Sequence, residues 1–330
     1  MYDSPVGLLL PDTSEMDQIE YGEFAEDLGY DSAWMVELWG NDAIAELGAL
    51  AERTERIELG TAIVNVFSRS PAVLAMAAAS LSSLSDGRFT LGTGVSTPKV
   101  VEDLHGLEYD RPVRQAHETI EVLTEYLRSE RPRVEYENEI FEVQDFPPLD
   151  ADVDVYHAAL GPANRRVVGR LADGWIPHNV PFERLDEAFE EVATAAEERG
   201  RDPADIDIAP YVPTAVDEDP EVAKDAVRGH LGYYIGSAEG YERAVATVFP
   251  EAAETVANAW RSGDRDEAVE AVSDDMVEAL GVAGTPETAP ETLASLLDST
   301  PIDHAILAVP RNADPALIRT TVEEMAPGEE

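Results

Sequence analysis

The chain of 330 residues is 44% hydrophobic and carries 68 acidic against 23 basic side chains, so its formal net charge is −45. Its apolar content is sufficient for a large folded core and excludes the disordered class, while its charge argues against nucleic acids and anionic membranes as partners, because both require clustered bases. There are no cysteines, which excludes disulfides, zinc ribbons, iron–sulfur clusters and cysteine nucleophiles.

From the N-terminus onward, short apolar runs alternate with amphipathic stretches. The predicted strands are Val6–Leu10, Ser32–Val36, Ile57–Val66, Phe89–Thr93, Val153–Leu160, Trp175–Pro177, Ile206–Val212 and Ile302–Val309. The predicted helices are Glu15–Leu28, Asp42–Thr54, Pro71–Leu84, Arg111–Arg128, Asn164–Ala172, Phe182–Arg199 and Pro315–Met325. Such alternation predicts βαβ units and a parallel sheet. We therefore predict an α/β protein built as a single (β/α)8 TIM barrel, rather than a doubly wound sheet with a second domain, because no Pro-, Gly- or Ser-rich linker divides residues 1–330.

The chain is longer than a typical barrel of this kind by about 80 residues, and the surplus falls in two places. Residues 132–148 have the pattern of a hairpin. Residues 218–285 are predicted to be mostly helical. We expect both segments to be insertions within one domain.

Two features indicate the setting in which the protein works. The acidic residues are spread along the whole chain, and the only lysines are Lys99 and Lys224. Such a surface repels itself unless salt screens it, which is typical of a halophile's protein. The N-terminal segment lacks the basic region and the long apolar run of a signal peptide, so we expect a cytoplasmic protein.

The helix predicted for Pro71–Leu84 has no charged side chain, although the protein is strongly acidic. A helix without a charged face has to be covered on all sides, and small side chains allow another helix to approach closely. Burial under the chain's own insertions is one explanation. We favour a subunit interface, most simply in an isologous homodimer.

Two glycine-bearing segments follow predicted strands and are candidate ligand sites. The sequence Gly92-Thr93-Gly94 lacks the third glycine and the adjoining helix of a dinucleotide loop, so it indicates only a strand end where backbone can approach a ligand. The segment Leu160–Asn164 follows a strand and begins a helix, whose free N–H groups and dipole favour a phosphate. An ordinary strand–helix turn explains the same residues.

Polar residues at the carboxyl ends of barrel strands are typical of active sites. Glu37, Asn65 and His178 hold such positions, whereas His157 is expected to pack within its strand. The remaining histidines do not lie at metal-ligand spacing with carboxylates, so we predict no metal. A carboxylate pair for glycoside hydrolysis is compatible with the composition, but nothing points to one.

Three motifs follow one another in the segment Leu47–Ser96. They are a Thr-x-x-Ile-x-Leu-Gly-Thr strand, an Arg-x-Pro helix start and a Ser-x-Gly-Arg-Phe-x-Leu-Gly strand. Further matching segments are Glu37–Asp42, Gly94–Glu102, Ala159–Ala163, Ala172–Trp175 and Tyr233–Gly236. Together they resemble the F420-dependent branch of the luciferase-like monooxygenase superfamily, in particular the methylenetetrahydromethanopterin reductases. The resemblance covers nearly the whole chain, and the combination of motifs is more specific than any one of them.

The resemblance implies a (β/α)8 barrel, usually dimeric, with the deazaflavin coenzyme F420 in the barrel mouth. The residues that it assigns to the cofactor site are Ala62, Ile63, Asn65, Gly94, Val95, Gly161, Pro162 and Ala163. It further implies a cis peptide bond between Ala62 and Ile63, in a bulge of the third strand that backs the deazaflavin ring. Asn65 would form a hydrogen bond with the ring or the tail.

For the rest of the cofactor, the resemblance implies backbone contacts. Gly94 and Val95 would approach the tail, and Gly161, Pro162 and Ala163 would bind the phosphate. F420 is anionic, so a protein with a charge of −45 needs positively charged groups near the site to bind it. The nearest predicted bases are Arg69, Lys99, Arg165 and Arg166.

The chain departs from the family pattern at the end of the second strand. Several relatives have an acidic residue followed by histidine there, whereas this chain has Glu37 followed by Leu38. An imidazole acid or base at that point is therefore ruled out. Glu37 is a candidate for a ring contact or a proton relay, and anchoring of the following loop is an equal explanation.

We therefore predict hydride transfer between reduced coenzyme F420 and a small organic substrate, with a methylene-tetrahydropterin or folate nearest by resemblance. An FMN-dependent luciferase-like monooxygenase is the alternative within the same fold. A flavin- or deazaflavin-binding protein without turnover is the alternative from another class, because the missing histidine leaves the proton donor unidentified.

Overall fold

The computed structural model describes residues 2–328. Its strands are β1 Val6–Leu9, β2 Ser32–Val36, β3 Glu58–Asn65, β4 Phe89–Gly94, β5 Val134–Glu137, β6 Glu142–Phe146, β7 Asp154–Ala158, β8 Gly174–Ile176, β9 Asp207–Ile208, β10 Tyr211–Val216, β11 Val282–Gly284 and β12 Ala305–Ala308. Its α-helices are α1 Gln18–Asp27, α2 Ala43–Ala51, α3 Pro71–Leu84, α4 Pro112–Arg128, α5 Pro162–Leu171, α6 Leu185–Glu197, α7 Pro220–Ser237, α8 Glu239–Val245, α9 Pro250–Ser262, α10 Arg265–Glu270, α11 Asp274–Leu280, α12 Thr288–Ser299 and α13 Pro315–Glu324. A short π-helical segment covers Lys99–Leu104.

Local side-chain chemistry sets where several helices begin. The carboxylate of Asp17 accepts a hydrogen bond from the N–H of Glu20, and the Glu20 carboxylate accepts one from the N–H of Asp17, which together form a capping box for α1. The hydroxyl of Ser70 caps α3, and Pro71 supplies the fixed φ of its first turn. The cap of α3 explains why its predicted start agrees with the structure, whereas α1 begins at Gln18, directly after its capping residue, and not at the predicted Glu15.

The chain divides into two compact units. The first unit takes the N-terminal residues through Ala33, Pro177–Glu190 and the chain from Ile208 onward. The second unit takes Trp34–Ile176 and Glu191–Asp207. The single domain predicted for residues 1–330 stays a prediction.

Both units contain parallel strands. In the first unit the order is β11, β10, β12 and β1, and each neighbouring pair is parallel. In the second unit β3, β4, β7 and β8 are parallel neighbours, and β5 and β6 form the antiparallel hairpin predicted near 132–148. Helices separate the parallel strands along the chain, so the α/β class is confirmed.

The stretch predicted to be mostly helical, 218–285, contains α7 to α11 and a core of its own. Val227 and Leu231 of α7 pack with Val256 of α9 and Leu280 of α11, and all four side chains are buried. The stretch ends in β11, which the prediction missed because three residues between two helices show no alternation. The strand predicted as Ile206–Val212 is also divided, into β9 and β10.

Helix α3 is only partly covered by its own chain. Leu74, Ala78 and Leu81 are buried, but Val73 is 44% and Met76 51% exposed. The explanation that the chain's insertions bury the helix therefore does not account for its outer face. Within the part of the chain that the structure describes, no helix has the length and hydropathy needed to cross a membrane.

Candidate active site

The residues predicted for the cofactor site all belong to the second unit, at or just after the carboxyl ends of parallel strands. Asn65, at the end of β3, is paired in register with Gly94, at the end of β4. Gly94 is paired in turn with Ala158, the last residue of β7. The N–H of Glu37, directly after β2, donates to the carbonyl oxygen of Ile63 at 3.2 Å. The strand register therefore brings the predicted residues to one edge of this sheet.

Strand β3 contains the predicted bulge. Between Gly60 and Val64 it uses one residue more than the facing strand β4 uses between Thr90 and Thr93. The surplus residue lies within 61–63. A bulge of this kind bends the strand and turns the neighbouring side chains, and such bulges are frequent next to active sites. The predicted bulge is therefore confirmed.

The side chain of Thr61 closes this bulge. Its hydroxyl donates to the carbonyl oxygen of Gly92 and accepts from the N–H of Gly92, both at 2.8 Å. A Cβ at Gly92 would lie 1.9 Å from the carbonyl oxygen of Thr61, so only glycine fits there. The peptide bond between Ala62 and Ile63 is trans, and the cis bond predicted at this point is wrong. The surplus residue already provides the kink, and the Thr61 hydroxyl takes the place of the interrupted ladder hydrogen bonds.

The carboxylate of Glu37 is fully engaged. It accepts hydrogen bonds from both terminal nitrogens of Arg69, one of them at 2.6 Å, and from the N–H of Ala43 at 3.3 Å. Arg69 also donates to Asp42, the N-cap of α2, at 2.7 Å. The hydrogen bond to Glu37 is the main cause that raises the pKa of Arg69 above its usual value. These are the contacts of a loop anchor, and a catalytic role for Glu37 stays a prediction.

Asn65 organises the turn that follows β3. Its Oδ1 accepts from the N–H groups of Phe67 at 3.0 Å and Ser68 at 2.8 Å. Its Nδ2 lies 3.3 Å from Nε2 of His105. The Ser68 hydroxyl oxygen is buried and has no hydrogen-bond partner among the described residues. The turn therefore contains a buried polar atom without a hydrogen-bond partner.

The loop after β7 has the geometry of an anion site. Helix α5 begins after Gly161, and no side chain of the described residues caps its first turn. Gly161, Pro162 and Ala163 are exposed, and no heavy atom outside the adjoining residues lies within 4 Å of the place where a Cβ of Gly161 would stand. The first N–H groups of a helix have no partner within it, and the helix dipole favours negative charge there.

A buried histidine connects this loop to the neighbouring strand. Nδ1 of His157 lies 2.9 Å from the Thr93 hydroxyl, and Nε2 lies 3.2 Å from Oδ1 of Asn164, in the first turn of α5. Nδ2 of Asn164 donates to the carbonyl oxygen of Ala158 at 3.1 Å. Burial lowers the pKa of His157 to about 4. His157 is fully buried, as predicted for a residue packed within its strand.

The basic residues predicted near the site are mostly engaged by carboxylates. Nζ of Lys99 lies 3.0 Å from Asp103, and a terminal nitrogen of Arg165 lies 3.5 Å from Glu191. Arg166 is exposed. The negative charge of a bound anion would therefore be balanced chiefly by backbone N–H groups and by the dipole of α5.

In the first unit, His178 belongs to a cluster of five rings. Its Nε2 lies 3.2 Å from Nε2 of His230. Its ring centroid lies 5.1 Å from that of Tyr211, 4.3 Å from Tyr234 and 5.4 Å from Tyr241. Burial lowers the pKa of His178 well below its usual range and that of His230 to about 4. Both imidazoles are therefore neutral at pH 7.

Sequence reasoning identified His178 but missed His105 and His230. Asn65 and His105 are 40 residues apart, and His178 and His230 are 52 residues apart. No local pattern signals either contact. Among the described residues, no group of three or more His, Asp or Glu side chains is arranged to hold a metal ion.

The comparisons with known proteins agree with one another. The model of the luciferase-like monooxygenase family matches residues 10–304. A protein of Mycobacterium tuberculosis named as a coenzyme F420-dependent oxidoreductase is 30% identical over 79% of this chain and 81% of its own length. The 5,10-methylenetetrahydromethanopterin reductase of Methanolobus tindarius is 27% identical over 84% of this chain and 86% of its own length.

Solved structures show the same fold. The coenzyme F420-dependent tetrahydromethanopterin reductase of Methanopyrus kandleri superposes with a TM-score of 0.81 at 24% identity, covering 99% of this chain and 98% of that one. An F420-dependent secondary alcohol dehydrogenase in complex with an F420–acetone adduct gives 0.77 at 20% identity, covering 100% and 98%. This likeness confirms the predicted class, a luciferase-like (β/α)8 TIM barrel.

Proposed function

The chain belongs to the luciferase-like monooxygenase family, and from that membership we propose that it is an oxidoreductase dependent on coenzyme F420. The observation that carries the proposal is the pairing of a bulged β3 with Gly94, next to an uncapped helix start at Gly161. A bulge turns side chains towards a neighbouring ligand such as a planar ring, and an uncapped helix start favours an anionic tail. F420 combines both, and the relatives named as F420-dependent support the same choice.

The residues present fit the cofactor. The exposed loop of Gly161, Pro162 and Ala163 has room for a phosphate, and Gly161 and Ala163 supply its backbone N–H groups, since proline has none. At Gly94, a Cβ would lie 3.0 Å from Cγ2 of Ile63, so the absence of a side chain lets Ile63 of the bulge pack closely against this strand end. The unpaired Ser68 hydroxyl offers a further polar contact.

Each part of the site has a separate task. In the bound state F420 supplies the hydride chemistry. Ala62 and Ile63 would lie against its ring, Asn65 would contact the ring or the tail, and Val95 would line the tail. Glu37 holds Arg69 and the start of α2, which fixes the loop after β2. Preorganised positioning of this kind is how a protein assists a cofactor reaction.

The substrate that we propose is a methylene-tetrahydropterin or folate. The support is the 27% identity to a reductase of 5,10-methylenetetrahydromethanopterin over most of both chains. Substrate pockets depend on loops, which vary more between relatives than the scaffold does. The substrate assignment is therefore more specific than the cofactor assignment, which depends on the scaffold.

We further propose that the protein is a homodimer from a high-salt cytoplasm. The outer face of α3, with Met76 51% and Leu84 46% exposed, supports an apolar subunit contact. The net charge of −45 and the presence of only two lysines support a saline environment, because salt screens the repulsion between carboxylates.

The test is a titration of the unliganded protein with F420 and, separately, with FMN in multimolar KCl, followed by ligand fluorescence. Micromolar or tighter binding of F420 with little binding of FMN is the expected result. A preference for FMN would move the protein to the monooxygenases of the family. Binding of neither ligand would contradict the cofactor site altogether.

A further inference from the structure

The segment after β4, residues 95–110, is tied to the turn after β3 by two side-chain contacts. Nε2 of His105 lies 3.3 Å from Nδ2 of Asn65. The ring of Tyr109 stacks on that of Phe67, with the two centroids 5.2 Å apart, and its hydroxyl donates to the carbonyl oxygen of Ser96 at 3.3 Å. All of these residues belong to the second unit. The segment is therefore fixed next to the strand end that carries Asn65.

An unusual backbone turn brings the imidazole of His105 to this position. Residues Lys99–Leu104 form the π-helical segment, and the N–H of His105 donates to the carbonyl oxygen of Val100 at 3.2 Å, one residue further back than in an α-helix. Gly106 follows with a φ of +67°, in the left-handed region that favours glycine. Wide turns of this kind are frequent at functional sites. His105 is exposed, so its ring can exchange protons with solvent.

The hydrogen bonds of Asn65 determine which way its amide points. Its Oδ1 accepts from the N–H groups of Phe67 and Ser68, at 3.0 Å and 2.8 Å. The nitrogen of the amide is therefore the atom that faces His105, and because an amide nitrogen only donates, Nε2 of His105 has to accept. An imidazole that accepts through Nε2 and is neutral carries its proton on Nδ1.

The amide of Asn65 has one N–H group left over. Nδ2 carries two hydrogens, and its hydrogen-bond partner among the described residues is His105 alone. Asn65 is only 5% exposed, so water has little access to the remaining N–H. Buried donors without a partner are uncommon in folded proteins. Because Asn65 is paired in register with Gly94 at the carboxyl edge of the sheet, this donor lies at the candidate cofactor site and suits an acceptor oxygen of a ligand.

Protonation of His105 is incompatible with this arrangement. An imidazolium carries a hydrogen on both ring nitrogens, so its Nε2–H would point at the N–H groups of Asn65. The amide cannot turn over in response, because its nitrogen would then face the backbone N–H groups of Phe67 and Ser68. The contact is therefore lost when the imidazole gains a proton, and histidine is the side chain that ordinarily gains one between pH 8 and pH 5.

The other groups around the imidazole do not change this conclusion. From β3 it faces the uncharged amide of Asn65. Burial raises the pKa of Tyr109, so that hydroxyl keeps its proton over the same pH range. Charges on the segment itself are screened in about 1 M salt, where the Debye length is about 3 Å. The charged side chains of the segment are Lys99, Glu102, Asp103, Glu108 and Asp110.

We infer that His105 is a positioning residue of the cofactor site, whose neutral imidazole holds the amide of Asn65 so that the second N–H of this amide donates to an oxygen of F420. His105 acts through Asn65 and does not itself contact the cofactor. The inference rests on the proposed F420-dependent function and adds the polarity of one contact, because Asn65 donates and the cofactor accepts. F420 therefore binds the neutral form of His105, and its affinity falls as the pH is lowered.

The experiment measures F420 affinity by ligand fluorescence in multimolar KCl, at pH 8 and at pH 5, for the full-length protein and two variants. His105→Gln supplies an uncharged acceptor in place of Nε2 at both pH values, and His105→Leu removes the acceptor. At pH 8, His105→Gln should bind as wild type does and His105→Leu about fivefold more weakly, the equivalent of one neutral hydrogen bond. At pH 5, wild type should fall to the level of His105→Leu, while His105→Gln remains about fivefold stronger than both.

Proteins are compared at the same pH, so the titration of the ligand itself affects all of them equally. His117→Gln is the control, because His117 lies on α4 and pairs with Glu121, and it should follow wild type at both pH values. Since His105 is exposed, its variants should unfold within about 2 °C of wild type. Equal affinities of wild type and both His105 variants overturn the inference. A loss that is independent of pH and accompanies lower stability indicates a purely structural role and overturns it as well.

A second measurement needs no cofactor. Nitrogen NMR of the histidine rings in the unliganded protein at pH 8, with His105→Gln to assign the signal, shows which nitrogen of His105 carries the proton. The Nδ1–H form is expected, and the Nε2–H form overturns the inference, because Nε2 then cannot accept from Asn65. Absence of F420 binding to wild type overturns the proposed function and the inference with it, whereas equal affinities overturn the inference alone. The two failures are therefore distinguishable.

Discussion

Nε2 of His157 lies 3.2 Å from Oδ1 of Asn164, so the buried strand β7 is tied directly to the first turn of α5. Because Nδ2 of Asn164 donates to the carbonyl oxygen of Ala158, its Oδ1 is the atom that accepts. The Nε2 of His157 therefore carries the proton, and its Nδ1 is the acceptor that faces the Thr93 hydroxyl, whose one proton also lies within reach of the carbonyl oxygen of Tyr156 at 3.1 Å. This chain of contacts fixes the position of the candidate phosphate loop relative to the end of β4.

The first prediction concerns this positioning role. His157→Phe fills the space but cuts both hydrogen bonds, so F420 affinity should fall about tenfold, as expected for the loss of one to two neutral hydrogen bonds. The deazaflavin fragment that lacks the phosphate-bearing tail should bind wild type and variant equally. Fluorescence titration of both ligands decides the matter, with His117→Phe as control. An equal loss for the two ligands would mean that His157 supports the fold rather than the loop.

The second prediction is a pH dependence of stability. His157 is neutral when folded, with a pKa lowered to about 4, and titrates near 6.5 when unfolded. Below pH 6.5 the unfolded state thus binds more protons at His157 than the folded state does. The contribution of His157 to the free energy of unfolding therefore falls as the pH drops from 6.5 towards 4. Between pH 7 and pH 5 this loss is about 2 kcal/mol.

The carboxylates of this acidic chain also titrate in that range, so the quantity to measure is a difference. Denaturant unfolding of wild type and His157→Phe at pH 7 and pH 5 should give a gap between the two proteins that changes by about 2 kcal/mol, in favour of the variant at the lower pH. A gap independent of pH would show that the pKa of His157 is the same in the folded and the unfolded protein and is therefore not lowered by burial.

The third prediction contrasts two glycines. Gly92→Ala would place a Cβ 1.9 Å from the Thr61 carbonyl oxygen and should prevent stable folding. Gly161→Ala adds a methyl group to open space, at a φ of −89° that alanine adopts freely, so its unfolding temperature should stay within about 2 °C of wild type. The methyl group would nevertheless occupy the candidate phosphate position and weaken F420 binding about tenfold or more. Gly229→Ala, also in open space, is the matched control and should not affect binding.

The fourth prediction separates the two roles of Glu37. As a loop anchor, Glu37→Gln should lower the unfolding free energy by about 1–3 kcal/mol, because it weakens a largely buried pair with Arg69. Arg69→Met should have a similar effect, and the double variant should cost less than the sum of the two. A large fall in kcat, with stability unchanged and one limb of the pH–rate profile lost, would instead identify Glu37 as the proton relay.

The fifth prediction tests the homodimer. Met76→Glu introduces a charge on the outer face of α3 and should convert a dimer to monomers in sedimentation experiments in multimolar KCl. Val222→Glu changes a residue that is similarly exposed, at 44%, but lies on α7, and it should leave the assembly unchanged. A monomeric wild type, or a dimer that tolerates the charge on α3, would exclude this interface.

Elements with strong local signals were predictable from the sequence, and contacts between distant segments were not. The bounds of β2 and α3 agree with the prediction because an apolar run and a Ser-Pro helix start are local features. The pairing of Asn65 with His105 depends on how a 40-residue connection folds back. The orphaned hydroxyl of Tyr211 is a property of its surroundings and has no sequence signal.

The cis bond predicted between Ala62 and Ile63 illustrates a different limit. The resemblance correctly located the bulge, because the sequence motifs that flank it are specific. The isomer of one peptide bond inside the bulge depends on the exact packing around it. In this structure the Thr61 hydroxyl and Gly92 complete the bulge with a trans bond.

The scarcity of lysine has a practical consequence for spectroscopy. Of the two lysines, Lys224 donates to Glu221 and Asp274, and the hydrogen bond to Asp274 is the main cause that raises its pKa and so reduces its nucleophilicity. The side chain of Lys99 is 85% exposed and has a single carboxylate neighbour. An amine-reactive fluorophore should therefore attach to Lys99 in preference to Lys224. Because Lys99 lies four residues beyond Val95 in the chain, the attached fluorophore should report the binding of a ligand without the need to introduce a cysteine.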